Sequence, residues 1–211
     1  MAALVDSPWR LMLAWAGLVV LAGLIVWAAP EEKTLGGSIR WVYVHVALTW
    51  TGMLGILAAG ALGVALIITG RAGLARWMTP AGLVGLGFFA AGLVVSGFAA
   101  GATWGGMFWE EPRTRANLQV LAVGVIVGVA APWLANRRGQ GLLFVILAAV
   151  MFALVAGAQL VLHPRSPILS AASLAIPATF FSLSVICSLA ALGLVAHLRR
   201  RADKTAGAEV R

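Results

Sequence analysis

Residues 41–69 read WVYVHVALTWTGMLGILAAGALGVALIIT, twenty-nine positions with no Asp, Glu, Lys or Arg. A helix needs about 20 mostly apolar residues to cross the roughly 30 Å hydrocarbon core of a bilayer. At 1.5 Å per residue this run spans about 43 Å, so its end turns reach into the headgroup region. The rest of the chain is built the same way. Its 211 residues are 62% hydrophobic and 10% charged, with a mean hydropathy of +0.99. Soluble domains carry about 25% charged residues, and a soluble fold of this size cannot hide so much apolar surface. The solvent must be lipid.

Five further runs have the required length, at roughly 10–29, 79–102, 117–135, 141–162 and 174–197. The expected fold is an all-α integral membrane protein of six transmembrane helices. Residues 1–197 form the membrane domain, and 198–211 form a basic tail. No apolar segment with a cleavage site precedes the first run, which is therefore expected to be retained as a helix. Cys187 is the only cysteine, so thiol–disulfide chemistry within the chain is excluded.

The net charge of +8 reads as a topology signal, not as a nucleic-acid footprint. With six spans, the N-terminus, the links at 70–78 and 136–140 and the tail share one side. That side holds ten of the fifteen Lys and Arg residues, among them Arg10, Arg71, Arg76, Arg137, Arg138 and the run Arg199–Arg201. The other side holds Lys33, Arg40, Arg113, Arg115 and Arg165. Positive residues stay in the cytoplasm. Both termini are thus expected to be cytoplasmic, with links 30–40, 103–116 and 163–173 facing outward. The expected location is the cytoplasmic (inner) membrane, with lipid as a partner. Much of the remaining pattern is packing. Gly52, Gly55, Gly60 and Gly63 on the second span, and Gly82, Gly85, Gly92 and Gly97 on the third, suit close helix approach in lipid. Trp9, Trp77 and Trp133 fall at the cytoplasmic boundary, where aromatic belts form.

The outward side gathers the chemistry in three segments, IRWVYVHVALTW (39–50), ATWGGMFWEEPRTRANLQ (102–119) and LVLHPRSPIL (160–169). His45 and His163 lie in the first and third, at similar expected depth, each near an arginine, Arg40 and Arg165. Imidazole ligates iron well, and haem iron accepts two axial ligands. An aromatic connector between two such histidines can hold a porphyrin flat, with arginines pairing to its propionates. Two other readings stand beside this one. A histidine at a membrane interface can serve simply as an amphipathic side chain, and Trp41, Trp50, Trp104 and Trp109 can form an outer aromatic belt. His197, followed by three arginines on the other side, reads as a topology anchor.

At these residues the chain resembles the haem-handling membrane proteins of cytochrome c assembly, most closely the six-span cytochrome c maturation protein C (CcmC-type) family. YVHVALTW matches that family's first histidine segment at Tyr43, His45, Val46 and Trp50, with Ala47 where a proline is usual. LHPRSPI matches the second at Leu162 and His163, with Ser166 nearby. In the tryptophan-rich segment, Trp104, Gly105, Glu111 and Arg113 fall on the family's tryptophan, glycine, acid and arginine, and Phe108 takes an aromatic position. Met107 and Glu110 stand where the family has aromatics.

The resemblance implies haem b at the outer face, with His45 and His163 as axial ligands. Trp104, Phe108 and Trp109 would contact the porphyrin, and Arg113, Arg40 and Arg165 would lie near the propionates. It further implies delivery to a periplasmic haem chaperone (CcmE-type), with ABC transporter subunits and a small one-span membrane subunit as partners, and no bond chemistry by this chain alone. The alternatives are a transporter of another anionic small molecule, or a scaffold subunit of the assembly machinery that has lost haem binding. Transport coupled to protons is disfavoured, because the mid-span regions hold no Asp, Glu, Lys or Arg.

Overall fold

Six helices account for the apolar runs in a computed structural model that describes residues 7–107, 109–158 and 173–208. They are α1 (Pro8–Trp27), α2 (Ile39–Thr69), α3 (Ala72–Trp104), α4 (Pro112–Ala130), α5 (Arg137–Gly157) and α6 (Ala175–Ala208). A 3-10 turn, Ala131–Trp133, continues α4. All six are long and apolar enough to cross a membrane, and the described residues contain no β-strand. The chain is a multi-pass membrane protein.

The helix ends follow local chemistry where hydropathy alone places them differently. α3 begins at Ala72, well before the apolar run at 79, and passes through Pro80. Arg71 and Arg76 are exposed at that end, so the first two turns are helical but too polar to count as span. α4 begins at Pro112, five residues before its apolar run. Glu111 caps it by accepting the Thr114 N–H (2.7 Å), and Pro112 occupies the first helical position, where a missing N–H costs nothing. The connector between α3 and α4 thus shrinks to 105–111, and Arg113 and Arg115 ride on the first turn of α4. α6 continues to Ala208, so most of the basic tail is helix. An i,i+4 ion pair, Arg199–Asp203 (3.7 Å), supports that extension.

α2 is the central helix. It packs most extensively on α3, and also meets α5, α6 and α1. The glycines expected to permit close approach do so at the α2–α3 seam. A Cβ on Gly55 would lie 2.7 Å from the Gly85 Cα, and one on Gly85 would lie 2.7 Å from the Ile56 nitrogen. Gly63 of α2 meets the Gly141 carbonyl of α5 in the same way. Gly97 differs: a Cβ there would meet only the Met107 sulfur at an ordinary 3.6 Å, so it packs against the connector between α3 and α4 and not another helix.

Two apolar clusters fill the interior. One joins α2 to α5 around Ile56, Phe89, Val120, Phe144 and Met151. The other joins α2 to α6 around Tyr43, Ala47, Phe180 and Leu183, with Ile25 and Val26 of α1 packed against it. Large apolar side chains such as Leu13, Val19, Ile68, Val125 and Phe152 point outward. Lipid solvates these, so packing of small residues and interhelical contacts hold the helices together. α1 is the most peripheral helix: it buries none of its residues and lies mainly along α6.

The links sort to two ends. At one end Arg76 pairs with Asp203 (3.1 Å), and Arg137 donates to the Ala72 carbonyl (3.4 Å), so the α2–α3, α4–α5 and α6 termini converge. At the other end the Ser38 hydroxyl donates to the Ala102 carbonyl (3.4 Å), bringing residues 30–38 beside the tryptophan connector.

Candidate functional site: a histidine held between two helices below a charged rim

His45 lies on the α2 face that meets α3. Its Nδ1 is 2.8 Å from the Gly92 carbonyl of α3. A carbonyl can only accept, so Nδ1 carries the proton and donates. In the neutral ring the lone pair is then on Nε2, the tautomer in which a metal-binding histidine is commonly fixed by a backbone carbonyl. Thr49, one turn further, donates its hydroxyl to the His45 carbonyl (2.8 Å), and its oxygen lies 3.4 Å from Nδ1. Gly92 makes the contact possible, because a Cβ there would press on Thr49, whose backbone nitrogen would be 2.9 Å away. His45 is half-buried.

The depth of His45 follows from the helix register. Ser38 meets Ala102, the Trp41 ring stacks on Phe98 (centroids 5.5 Å apart), and Gly55 meets Gly85. Residue 45 of α2 therefore lies level with residue 95 of α3, nine residues below Trp104. At 1.5 Å per residue, Trp104 stands about 13 Å outward of the His45 backbone. His45 therefore lies well inside the end of the bundle, and Trp104 is on the rim above it.

The rim is built from two links. Trp104 is the last residue of α3, and Gly105 closes the helix in the left-handed region (φ 78°), donating to the Gly101 carbonyl. Trp109 is 61% exposed in the connector. Across from it, the buried Tyr43 donates its hydroxyl to the Pro30 carbonyl (3.3 Å), fastening the other link to α2. Trp41 and Trp50 are committed to helix contacts with Phe98 and Phe180.

The charges of the rim do not cancel locally. Glu31 lies 3.9 Å from Arg40, and Glu110 pairs with Arg115. Glu32 accepts the backbone N–H groups of Leu35 (2.9 Å) and Thr34 (2.8 Å). Those bonds, the Leu35 one foremost, hold its carboxyl below the usual carboxylate range. The turn therefore gains stability that is present above the ordinary carboxylate pKa and lost as pH falls through the lowered one. Glu111 is buried (6% exposed) and committed to capping α4, while its Oε1 has no hydrogen-bond partner. Each carboxylate is engaged. Among the described residues, Lys33 and Arg113 are the cations of this rim that no acid pairs with. Both are exposed.

His45, Trp104, Trp109, Arg40 and Arg113 therefore belong to one end of the bundle. Arg40 is already opposite Glu31, which leaves Arg113 as the better-placed anion partner of the two. His163, Arg165 and Phe108 lie outside the described residues. Sequence reading passed over Thr49, and took Gly92 only as a packing glycine, Glu111 only as a family position and Lys33 only as one of the outer charges. Two of these had a signal: the His45–Thr49 spacing of four places both on one helix face, and the Glu-Pro pair at 111–112 is a helix-start signature. That the Gly92 carbonyl meets His45 is a tertiary fact with no signal in the sequence.

The cap yields a direct expectation. Glu111→Ala should lower the thermal midpoint of the purified protein by a few degrees, since an N-cap is worth about 1 kcal/mol. Loss of the unpartnered Oε1 offsets part of that. An unchanged midpoint would mean that Glu111 does not hold the start of α4.

Compared with known proteins, the sequence matches no family model and no curated protein.

Proposed function

We propose that the chain binds haem b at the rim end of the bundle and hands it on, as its resemblance to the cytochrome c maturation protein C family implies. The observation that carries this reading is the 2.8 Å contact of His45 Nδ1 with the Gly92 carbonyl, which calls for a proton on Nδ1 and so leaves the neutral ring's lone pair on Nε2. An iron already held by a porphyrin needs only axial ligands, and this end offers an oriented imidazole in place of a cluster. Lys33 and Arg113 add positive charge suited to propionates, and Trp104 and Trp109 add flat apolar surface above. The chain's own part is to hold, orient and release; bound haem supplies the iron and the macrocycle. His163 is the proposed second axial ligand, and Arg165 and Phe108 complete the proposed set.

The charge bias of the links supports a rim on the outer face of the cytoplasmic membrane, with both termini inside. Release would be to a periplasmic haem chaperone, with ABC transporter subunits and a one-span subunit in the same machinery.

The absorption spectrum of the protein purified from haem-replete cells tests the reading. A Soret band with the split visible bands of six-coordinate haem is expected. Arg113→Ala should retain less haem, and Arg113→Lys an intermediate amount, because lysine keeps the charge but not the planar fork. A protein that carries no haem and takes up none from added haemin would rule the proposal out.

A further inference from the structure

The end opposite the rim gathers cations by tertiary contact. α2 stops at Gly70, which is left-handed (φ 65°), and α3 starts at Ala72, so Arg71 projects from a very short turn. The start of α5 folds onto the same turn. Arg137 donates from Nη1 to the Ala72 carbonyl (3.4 Å), and Nη2 of Arg138 lies 3.3 Å from where a Cβ on Gly70 would stand. Arg137 and Arg138 thus reach, from a link some 65 residues further on, the turn that carries Arg71, and three arginines share this corner of the bundle.

No carboxylate is there to balance them. Among the described residues, none of the three pairs with an acid, and the nearby Asp203 is shared between Arg76 (3.1 Å) and Arg199 (3.7 Å). Like charges brought together repel, and a bound anion relieves that repulsion. The depth of the cluster indicates the source of the anion. Trp133, 86% exposed, lies three residues before the cap of α5, and Ile68, 74% exposed, lies just inside the end of α2. Exposed tryptophan beside exposed aliphatic surface marks the headgroup boundary. At that level the abundant anion is a lipid phosphate, and basic pockets between membrane helices take such headgroups.

We propose that Arg71, Arg137 and Arg138 form a binding site for the phosphate headgroup of an anionic phospholipid at the turn between α2 and α3. The site lies at the far end of the bundle from His45 and does not depend on haem binding.

Native mass spectrometry of the full chain, delipidated in neutral detergent, tests it with phosphatidylglycerol, phosphatidylcholine of the same acyl chains, and inorganic phosphate. Wild type should hold phosphatidylglycerol at least tenfold more tightly than phosphatidylcholine. Replacing all three arginines (R71Q, R137Q, R138Q) should erase that preference with the thermal midpoint retained. The corresponding lysine triple (R71K, R137K, R138K) should keep most of it, and this arm decides the matter if the glutamine triple does not fold. A charge-matched control at the same end (R200Q, R201Q, K204Q) should retain the preference. An equal loss in that control would reduce the effect to the general field of the basic end and overturn the site. Displacement of the lipid by inorganic phosphate at matched concentration would make it a free-anion site. Absence of any preference in wild type would leave the cluster to an acidic protein partner and also overturn the proposal.

Discussion

Gly85→Leu should separate α2 from α3 and cost the protein roughly 10 °C in thermal midpoint. A Cβ at Gly85 would stand 2.7 Å from the Ile56 nitrogen and 2.9 Å from both the Gly52 oxygen and the Gly55 carbonyl carbon. These are backbone atoms of the facing helix, so no side chain can rotate away to make room. Overpacking costs about 1–3 kcal/mol where neighbours can adjust, and rigid neighbours put this site at or above the upper end. For a protein of about 200 residues each kcal/mol is roughly 2–4 °C. The control is two residues away on the same helix. A Cβ at Gly87 would meet nothing within 4 Å, so Gly87→Leu should change the midpoint little. Equal midpoints for the two variants would show that the α2–α3 seam is looser than described. The same seam carries the His45–Gly92 bond, so Gly85→Leu should also lose bound haem, whereas Gly87→Leu should not.

The second large effect concerns the proposed ligands. His45→Ala should convert six-coordinate haem to a five-coordinate form with a shifted Soret band, and added imidazole should partly restore the original spectrum. Neutral imidazole coordinates readily near pH 7, the unperturbed pKa being about 6.5. Replacing both His45 and His163 should remove specific binding, and His197→Ala, at the other end of the bundle, should leave it intact. Thr49→Val is the subtler variant. It keeps the side chain's shape and deletes the hydroxyl beside Nδ1, and loss of such outer contacts typically weakens metal binding by 10–100-fold. A wild-type six-coordinate spectrum in the double histidine variant would remove both residues from the iron.

The membrane fold was legible because lipid imposes a simple rule: every backbone polar group must be satisfied within a helix, so long apolar runs can only be spans. The run at 41–69 became part of α2 with its C-terminal boundary unchanged. Hydropathy misplaced the ends where polar residues are helical. Arg71 to Met78 read as a link although Ala72 to Met78 is helix, and the first turn of α4 read as connector although Glu111 and Pro112 are start signals. The site was legible in its residue types and in its placement at one end, since His45, the tryptophans and Arg113 all follow from span parity. The rim's charge balance was not. Knowing that Arg40 faces Glu31 while Lys33 and Arg113 face no acid requires distances. The tautomer of His45 depends on a carbonyl 47 residues away, and no spacing in the sequence encodes it.

The peripheral position of α1 bears on how the molecule is made. α1 precedes the other five helices in the sequence, and its principal neighbour, α6, follows them. Until α6 is made, α1 has only its slight contacts with α2 and α3 and stands in the bilayer largely alone, stable there because its backbone bonds are internal. The core of α2, α3, α4 and α5 can assemble without it. Closure of α1 against α6 is then a late event at a thin seam, after the four-helix core has formed.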